Sequence, residues 1–294
     1  MLKTNSFGGK VFDAFNTFVL IGTALICLYP IWYTVAVSFS SSNAAAGGLV
    51  TWLPVGFNLN SYDKILNDDA FFQAFGVSTI RVLLGASLSF FLTVLMAYPL
   101  SKENAAFPGR NAYVWYLIFS MLFSGGLIPW YMTIKSYGLL DTIWALVLHS
   151  AVSVFNVILV LNYFRGLPKE LEEAGLVDGA GPWYLLFRIY IPLSLPVLAT
   201  VTLFSVVGHW NAFFDGLVLM NDPANYPLQT YIQLLVVQVN TQNLTTEQLI
   251  ELSKISDRTL SAAKIVVTML PVLILYPFLQ RYFISGIVLG SVKE

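Results

Sequence analysis

Residues Arg165 to Pro192 read RGLPKELEEAGLVDGAGPWYLLFRIYIP, and the placement of this polar stretch between two hydrophobic ones decides the fold. Pro168 suits a first helical position, and Glu170, Glu172 and Glu173 fill the first turn, where the helix dipole favours negative charge. Gly179 and Gly181 supply a stop. Pro182 then starts a second, amphipathic helix with Trp183, Leu186, Phe187 and Tyr190 along one face. The stretch therefore predicts helix, tight turn and helix, held outside a membrane by a span on either side. An ordinary loop between spans would have the same composition, so spacing has to distinguish the two.

Composition points to a membrane protein throughout. Hydrophobic residues make up 57% of the 294, and charged residues only 11%. Mean hydropathy is +0.72, outside the usual range of soluble domains. A net charge of −1 gives no footing for nucleic acid. The single cysteine, Cys27, excludes an internal disulfide, and with two histidines it offers no metal cluster. The first apolar run is a full span without an A-x-A site near its end, so no cleavable signal is expected. Motifs for a phosphate-binding loop, a zinc protease helix or a nucleophile elbow do not occur. No catalytic residue, metal ligand or cofactor is therefore assigned to this chain.

A crossing needs about 20 mostly apolar residues. Six stretches meet this: 14–39, 76–100, 111–134, 143–164, 193–220 and 262–280. The third is interrupted at Gly125, Gly126 and Pro129, so irregular last turns are expected. The fourth has His149 as its only ionisable group. The fold class is all-α integral membrane, one transmembrane domain over residues 1–294 with the polar stretch 165–192 on one side.

Lysine and arginine set the orientation. With the N-terminus inside, the inner segments hold Lys3, Lys10, Lys102, Arg110, Arg165, Lys169, Arg188, Arg281 and Lys293 within about 65 residues. The outer segments hold Lys64, Lys135, Lys254 and Arg258 within about 100 residues. Arg81 and Lys264 fall at span ends. Both termini and the 165–192 stretch are thereby placed in the cytoplasm. Outside, Trp52, Pro54, Phe57 and Tyr62 can pack as a small cap. The 221–261 connection is long enough for docking to a soluble partner, and its Thr245 and Gln248 fit a capping box.

Spacing within the decisive stretch is more specific. Glu173-Ala174-Gly175, three residues, Gly179, nine residues, Ile189, one residue and Ile191-Pro192 resembles the EAA loop of ABC importer permeases. That pattern runs EAA, three residues, G, nine residues, I, one residue, LP. Gly175 stands where the family has a second Ala, and Ile191 where it has Leu. Asp178 and Ala180, beside Gly179, match a common DGA. The resemblance implies that this loop grips a separate ATPase. Glu173 would pair with a basic group there, and Ala174 and Gly175 would permit close approach.

The carboxyl end is similar to carbohydrate importer permeases, which often end QRYF, a glycine, then GAVKG. Here Gln280-Arg281-Tyr282-Phe283 is followed by Gly286 and by Gly290, Ser291, Val292 and Lys293. In that family such a tail contacts the ATPase pair. PLQTYI at 227–232 resembles the oligosaccharide branch, including permeases for acidic polysaccharides such as alginate. The resemblance implies a second permease subunit, two ATPase subunits carrying ATP and Mg, and an extracytoplasmic solute-binding protein. It also implies a bacterial inner membrane and its lipid as the setting.

Polar residues within a span are costly, so they mark a pathway or a contact between helices. Gly208, Asn211 and Asp215 fall at i, i+3 and i+7, on one face of an unbroken helix. Trp210, Phe213 and Phe214 lie close, and aromatic faces beside amide and carboxylate groups suit a sugar ring. Trp210, Asn211, Phe214 and Asp215 are the candidate substrate residues. Arg81, Lys135, His149 and His209 are the groups that could offset an acidic cargo. The competing function is a secondary, ion-coupled transporter, although the spans hold few buried carboxylates for a relay.

Overall fold

The computed structural model describes residues 7–237 and 258–290, all helix and connecting turns among those residues. In chain order the helices are α1 (Phe7–Ser38), α2 (Ser42–Ala46), α3 (Asn60–Leu66), α4 (Asp69–Ser101), α5 (Arg110–Leu122), α6 (Leu127–Ser136) and α7 (Ile143–Leu148). They continue with α8 (Val154–Arg165), α9 (Lys169–Val177), α10 (Pro182–Leu193), α11 (Leu195–Asn211), α12 (Phe214–Leu219), α13 (Leu228–Val237) and α14 (Arg258–Gly290).

Three of these, α1, α4 and the Arg258–Pro277 part of α14, are long and apolar enough to cross a membrane unbroken. At about 1.5 Å per residue, the 33-residue α4 spans about 50 Å, more than a bilayer's hydrocarbon core. Two further crossings arise if each bent pair counts as one: α5 with α6, bent by 112°, and α10 with α11, bent by 83°. The first bend falls at Gly125 and Gly126, the latter at φ 87°, as the glycine pair predicts.

The expected crossing at 143–164 is instead two short helices separated by residues 149–153. Ser153 accepts the Asn156 amide and so starts α8 afresh, a local bond that competes with helix continuation. The 193–220 stretch breaks as well, at Ala212 and Phe213, so Asp215 belongs to a different helix from Asn211. Part of the expected outer loop is helical: Leu228 is buried at the start of α13, and its amide donates to Ser78 Oγ at 2.8 Å. The Thr245 and Gln248 capping box and the tail residues Ser291, Val292 and Lys293 lie outside the described residues, while Gly290 ends α14.

The chain divides into two compact units. The first comprises Met1–Asp69 and Leu234–Met269. Here the expected cap forms: Phe57 and Tyr62 stack on Phe39, and Trp52 packs against Tyr29 at 4.9 Å. Lys264 Nζ lies 2.5 Å from Asp68 Oδ2, both side chains largely buried. The second unit comprises Ala70–Gln233 and Leu270–Glu294. Its main core joins Val94, Ala97 and Tyr98 of α4 to Val157, Val160 and Phe164 of α8, and to Leu198 and Val201 of α11. Leu185, Leu186 and Tyr190 of α10 belong to the same core, which fixes the polar stretch to the spans.

Candidate functional site

Two features of the second unit can carry function. The first is a surface helix-turn-helix. Pro168 precedes α9 rather than opening it, with ψ 128°, and Lys169 takes the first helical position. At the other end Gly179 adopts φ 78°. Its amide donates to Leu176 O and that of Ala180 to Gly175 O, at 3.0 and 2.9 Å. This is a Schellman stop with glycine at the left-handed position, and Asp178 is the last turn residue before it. Gly181 is extended and Pro182 opens α10.

Glu173 and Ala174 are exposed, whereas Gly175 is buried. A Cβ on Gly175 would lie 2.6 Å from Leu185 Cδ2 and 3.4 Å from Ile189 Cδ1. The glycine that departs from the family pattern thus lets α9 close onto α10, and it is not available for approach by a partner. The expected single face of α10 also divides. Leu185, Leu186 and Tyr190 turn inward, while Trp183 and Phe187 stack on each other outside. A π-helical turn at Leu186–Tyr190 shifts the periodicity that a 3.6-residue reading assumes.

A polar group that sequence reading did not single out holds α9 in place. Lys102 Nζ lies 2.6 Å from Glu172 Oε1 and 3.1 Å from the Tyr190 hydroxyl, which donates to Glu172 Oε2 at 2.5 Å. The ammonium also sits 4.3 Å from the ring centres of Tyr98 and Tyr190. Burial raises the Glu172 pKa, but the hydrogen bonds from Lys102 and Tyr190 outweigh it and hold the carboxyl below its ordinary value. Lys169 and Glu103 form a further, exposed pair.

The second feature is a cavity of about 1480 Å³. Its wall includes Gly208, Asn211, Phe214 and Asp215, so the helix break does not remove the sequence-predicted residues from one surface. Trp210 is the exception: it is buried and packs edge-on against Phe75 at 5.5 Å, outside the lining. Lys135 does not line it either, but Arg81, His149 and His209 do. Arg81 is buried within α4, which begins seven residues before the expected apolar limit.

Arg81 and Asp215 form a buried ion pair through both guanidinium Nη atoms, the Nη1–Oδ1 distance being 3.1 Å. Nη1 also donates to Ala212 O at 3.3 Å, at the helix break. The Gly216 amide donates to Asp215 Oδ1, and His149 Nε2 lies 3.5 Å from Oδ2. His149 Nδ1 donates to Ala145 O at 2.8 Å. Elsewhere in the wall, Asn156 donates to Ser205 Oγ at 3.3 Å and Ser205 meets Ser89 at 3.2 Å. His209 rests on Gly85, where a Cβ would lie 2.4 Å from Nε2.

Helices long and apolar enough to cross a membrane, a cavity within the second unit and a helix-turn-helix anchored to that unit's core are the features of a membrane permease subunit. Residues 83–288 match the model of the binding-protein-dependent transport system inner membrane component, and the chain belongs to that family. Membership identifies it as the transmembrane subunit of an ABC importer, with ATP hydrolysis on a separate subunit, and sets aside the secondary transporter.

Among its relatives is protein LplC of Bacillus subtilis, 39% identical, the match covering 98% of this chain and 97% of the relative. The polygalacturonan/rhamnogalacturonan transport system permease protein YtcP of Bacillus subtilis is 36% identical, over 97% of this chain and 99% of its own. Among solved structures, a chain of a bacterial ABC transporter involved in import of the acidic polysaccharide alginate matches at TM-score 0.84. That match has 34% identity and covers 95% of this chain and 98% of the other.

Proposed function

We propose that this chain is one permease subunit of an ATP-driven importer that carries acidic oligosaccharides inward across the bacterial cytoplasmic membrane. The observation that carries the reading is the chemistry of the cavity. Its ionisable lining is Arg81, His149, His209 and Asp215, and the lone carboxylate is already engaged by Arg81. A uronate chain therefore meets hydroxyl, amide and basic groups without a free opposing carboxylate. The relatives support the same class: one serves polygalacturonan and rhamnogalacturonan, and the structural neighbour serves alginate.

The partners are a second permease subunit, two ATPase subunits that bind ATP and Mg, a solute-binding protein outside and the surrounding lipid. Both termini and the 165–192 stretch face the cytoplasm. Glu173, Ala174, Asp178, Gly179 and Ala180 form the grip on the ATPase, with Gly175 supporting it from within. Gly290, Ser291, Val292 and Lys293 add a second contact. The 221–261 segment meets the binding protein.

Glu173→Lys reverses an exposed charge on α9 and tests the coupling. In the purified, reconstituted complex it should reduce the ATP hydrolysis stimulated by loaded binding protein by about tenfold, the effect of losing a charge-assisted contact. Hydrolysis and transport at unaltered rates would overturn the coupling assignment. Shortening the chain within residues 240–251 should spare basal hydrolysis and impair only the stimulation.

A further inference from the structure

We propose that Arg81 and Ser150 form a carboxylate seat in the cavity wall that recognises the uronate groups of the cargo. This rests on the acidic-oligosaccharide reading and deepens it to particular atoms. Among the described residues, three buried side-chain polar atoms have no hydrogen-bond partner: Arg81 Nε, Ser150 Oγ and Ser194 Oγ. The first two belong to the lining of the same cavity, and Ser194 does not.

Buried polar groups are normally paired, so an orphaned donor of a guanidinium marks a place built for an acceptor. Arg81 is 1% exposed, and its two Nη atoms are committed to Asp215 and to Ala212 O. Those bonds hold the plane of the guanidinium and use three of its five N–H groups, leaving Nε as the nitrogen without any partner. Ser150 follows His149 in the break between α7 and α8, where the chain lines the cavity in irregular backbone rather than helix. Its hydroxyl is a second donor with nothing to receive it.

Two such donors suit an anionic oxygen acceptor. Asn156, Ser205 and Ser89, elsewhere in the wall, are bonded among themselves. Asp215 lowers the net charge that a carboxylate meets, so the seat orders the group without trapping it by an unpaired cation. That combination suits a route through which cargo passes, where binding has to be weak enough for release. A neutral sugar of the same shape lacks the charge that shortens and strengthens such bonds.

The test compares uptake of a galacturonate trisaccharide with uptake of its full methyl ester, which keeps the chain and removes the charge. The measurement uses the complete transporter with its binding protein in sealed vesicles. Arg81→Gln combined with Asp215→Asn replaces the ion pair by a neutral one of similar shape, so the fold is spared. The pair of substitutions should lower the acid-to-ester uptake ratio by about tenfold or more, and Ser150→Ala alone by about threefold. An unchanged ratio in both variants, with complexes assembled to normal amounts, overturns the seat. Uptake of neither sugar by the unaltered transporter overturns the acidic-oligosaccharide reading, and the seat falls with it.

Discussion

Lys102 at the end of α4 and Glu172 on α9 are 70 positions apart and joined at 2.6 Å, with the Tyr190 hydroxyl closing the group. The surface helix is thereby tied to the end of α4 by a largely buried charged contact, beside the exposed Lys169–Glu103 pair. Together with the closure of α9 on α10 at Gly175, it links α9 to both helices, and Tyr190 also packs on Tyr98 and Phe164. A rigid link of this kind is what converts movement of a docked partner into movement of spans.

Glu172→Gln should loosen that link. It leaves Lys102 without its carboxylate and costs about 1–3 kcal/mol for a charged hydrogen bond. Hydrogen exchange of the 169–177 amides should quicken by about tenfold while the α8 amides keep their protection. Because the folded carboxyl titrates below its unfolded value, its contribution is complete above the ordinary glutamate range near pH 4.3. The contribution drains away as pH falls through the folded value. The protection factors of these amides, corrected for the intrinsic pH dependence of exchange, should therefore fall only at acid pH in the unaltered protein, and a fall on raising the pH would contradict the link.

Gly179 separates backbone need from side-chain space. Nothing lies within 4 Å of a Cβ placed there, yet φ is 78°. Gly179→Asn, a residue that tolerates this conformation, should keep most ATPase stimulation. Gly179→Val should lose it, the strain being about 1–2 kcal/mol or more. Equal activity of the two variants would mean that the turn is not the requirement.

Gly85→Ala addresses the cavity wall. The added methyl would press on the His209 ring, and overpacking of this kind costs about 1–3 kcal/mol. Thermal unfolding of the detergent-solubilised complex should fall by several degrees, with uptake reduced. An unchanged midpoint would show that His209 swings away freely.

The stop after α9 was legible because it is local: glycine, its flanking Asp178 and Ala180, and the following Pro182 lie within a few residues. The cavity's central pair was not, since Arg81 and Asp215 are 134 positions apart and neither carries a local signal of its partner. Apolar counting stopped at Gly76, whereas α4 extends back past Gln73 to Asp69, so Arg81 lies further inside the helix than that count gives. Trp210 lies outside the lining because it is the immediate neighbour of Asn211 on the same helix, about 100° round it, and faces Phe75. The division of α10 escaped a 3.6-residue reading because a π-helical turn intervenes. A detectable signal for the 143–164 break did exist, the serines at 150 and 153, although hydropathy averages over them.

Orientation can be checked with single cysteines in a Cys27→Ser background. Val177→Cys, at an exposed site on α9, should react with an impermeant thiol reagent only from the cytoplasmic side. Leu53→Cys, exposed in the aromatic cap, should react only from outside. Labelling in the reverse sense would overturn the topology.

The most direct measurement of the central claim is uptake of a labelled uronate oligosaccharide by vesicles holding this chain, its partner permease, the ATPase pair and loaded binding protein. The account predicts accumulation that requires enclosed ATP, persists when ion gradients are collapsed and favours the uronate over a neutral oligosaccharide of equal length. Uptake driven by an ion gradient without ATP, or preference for the neutral sugar, would contradict it.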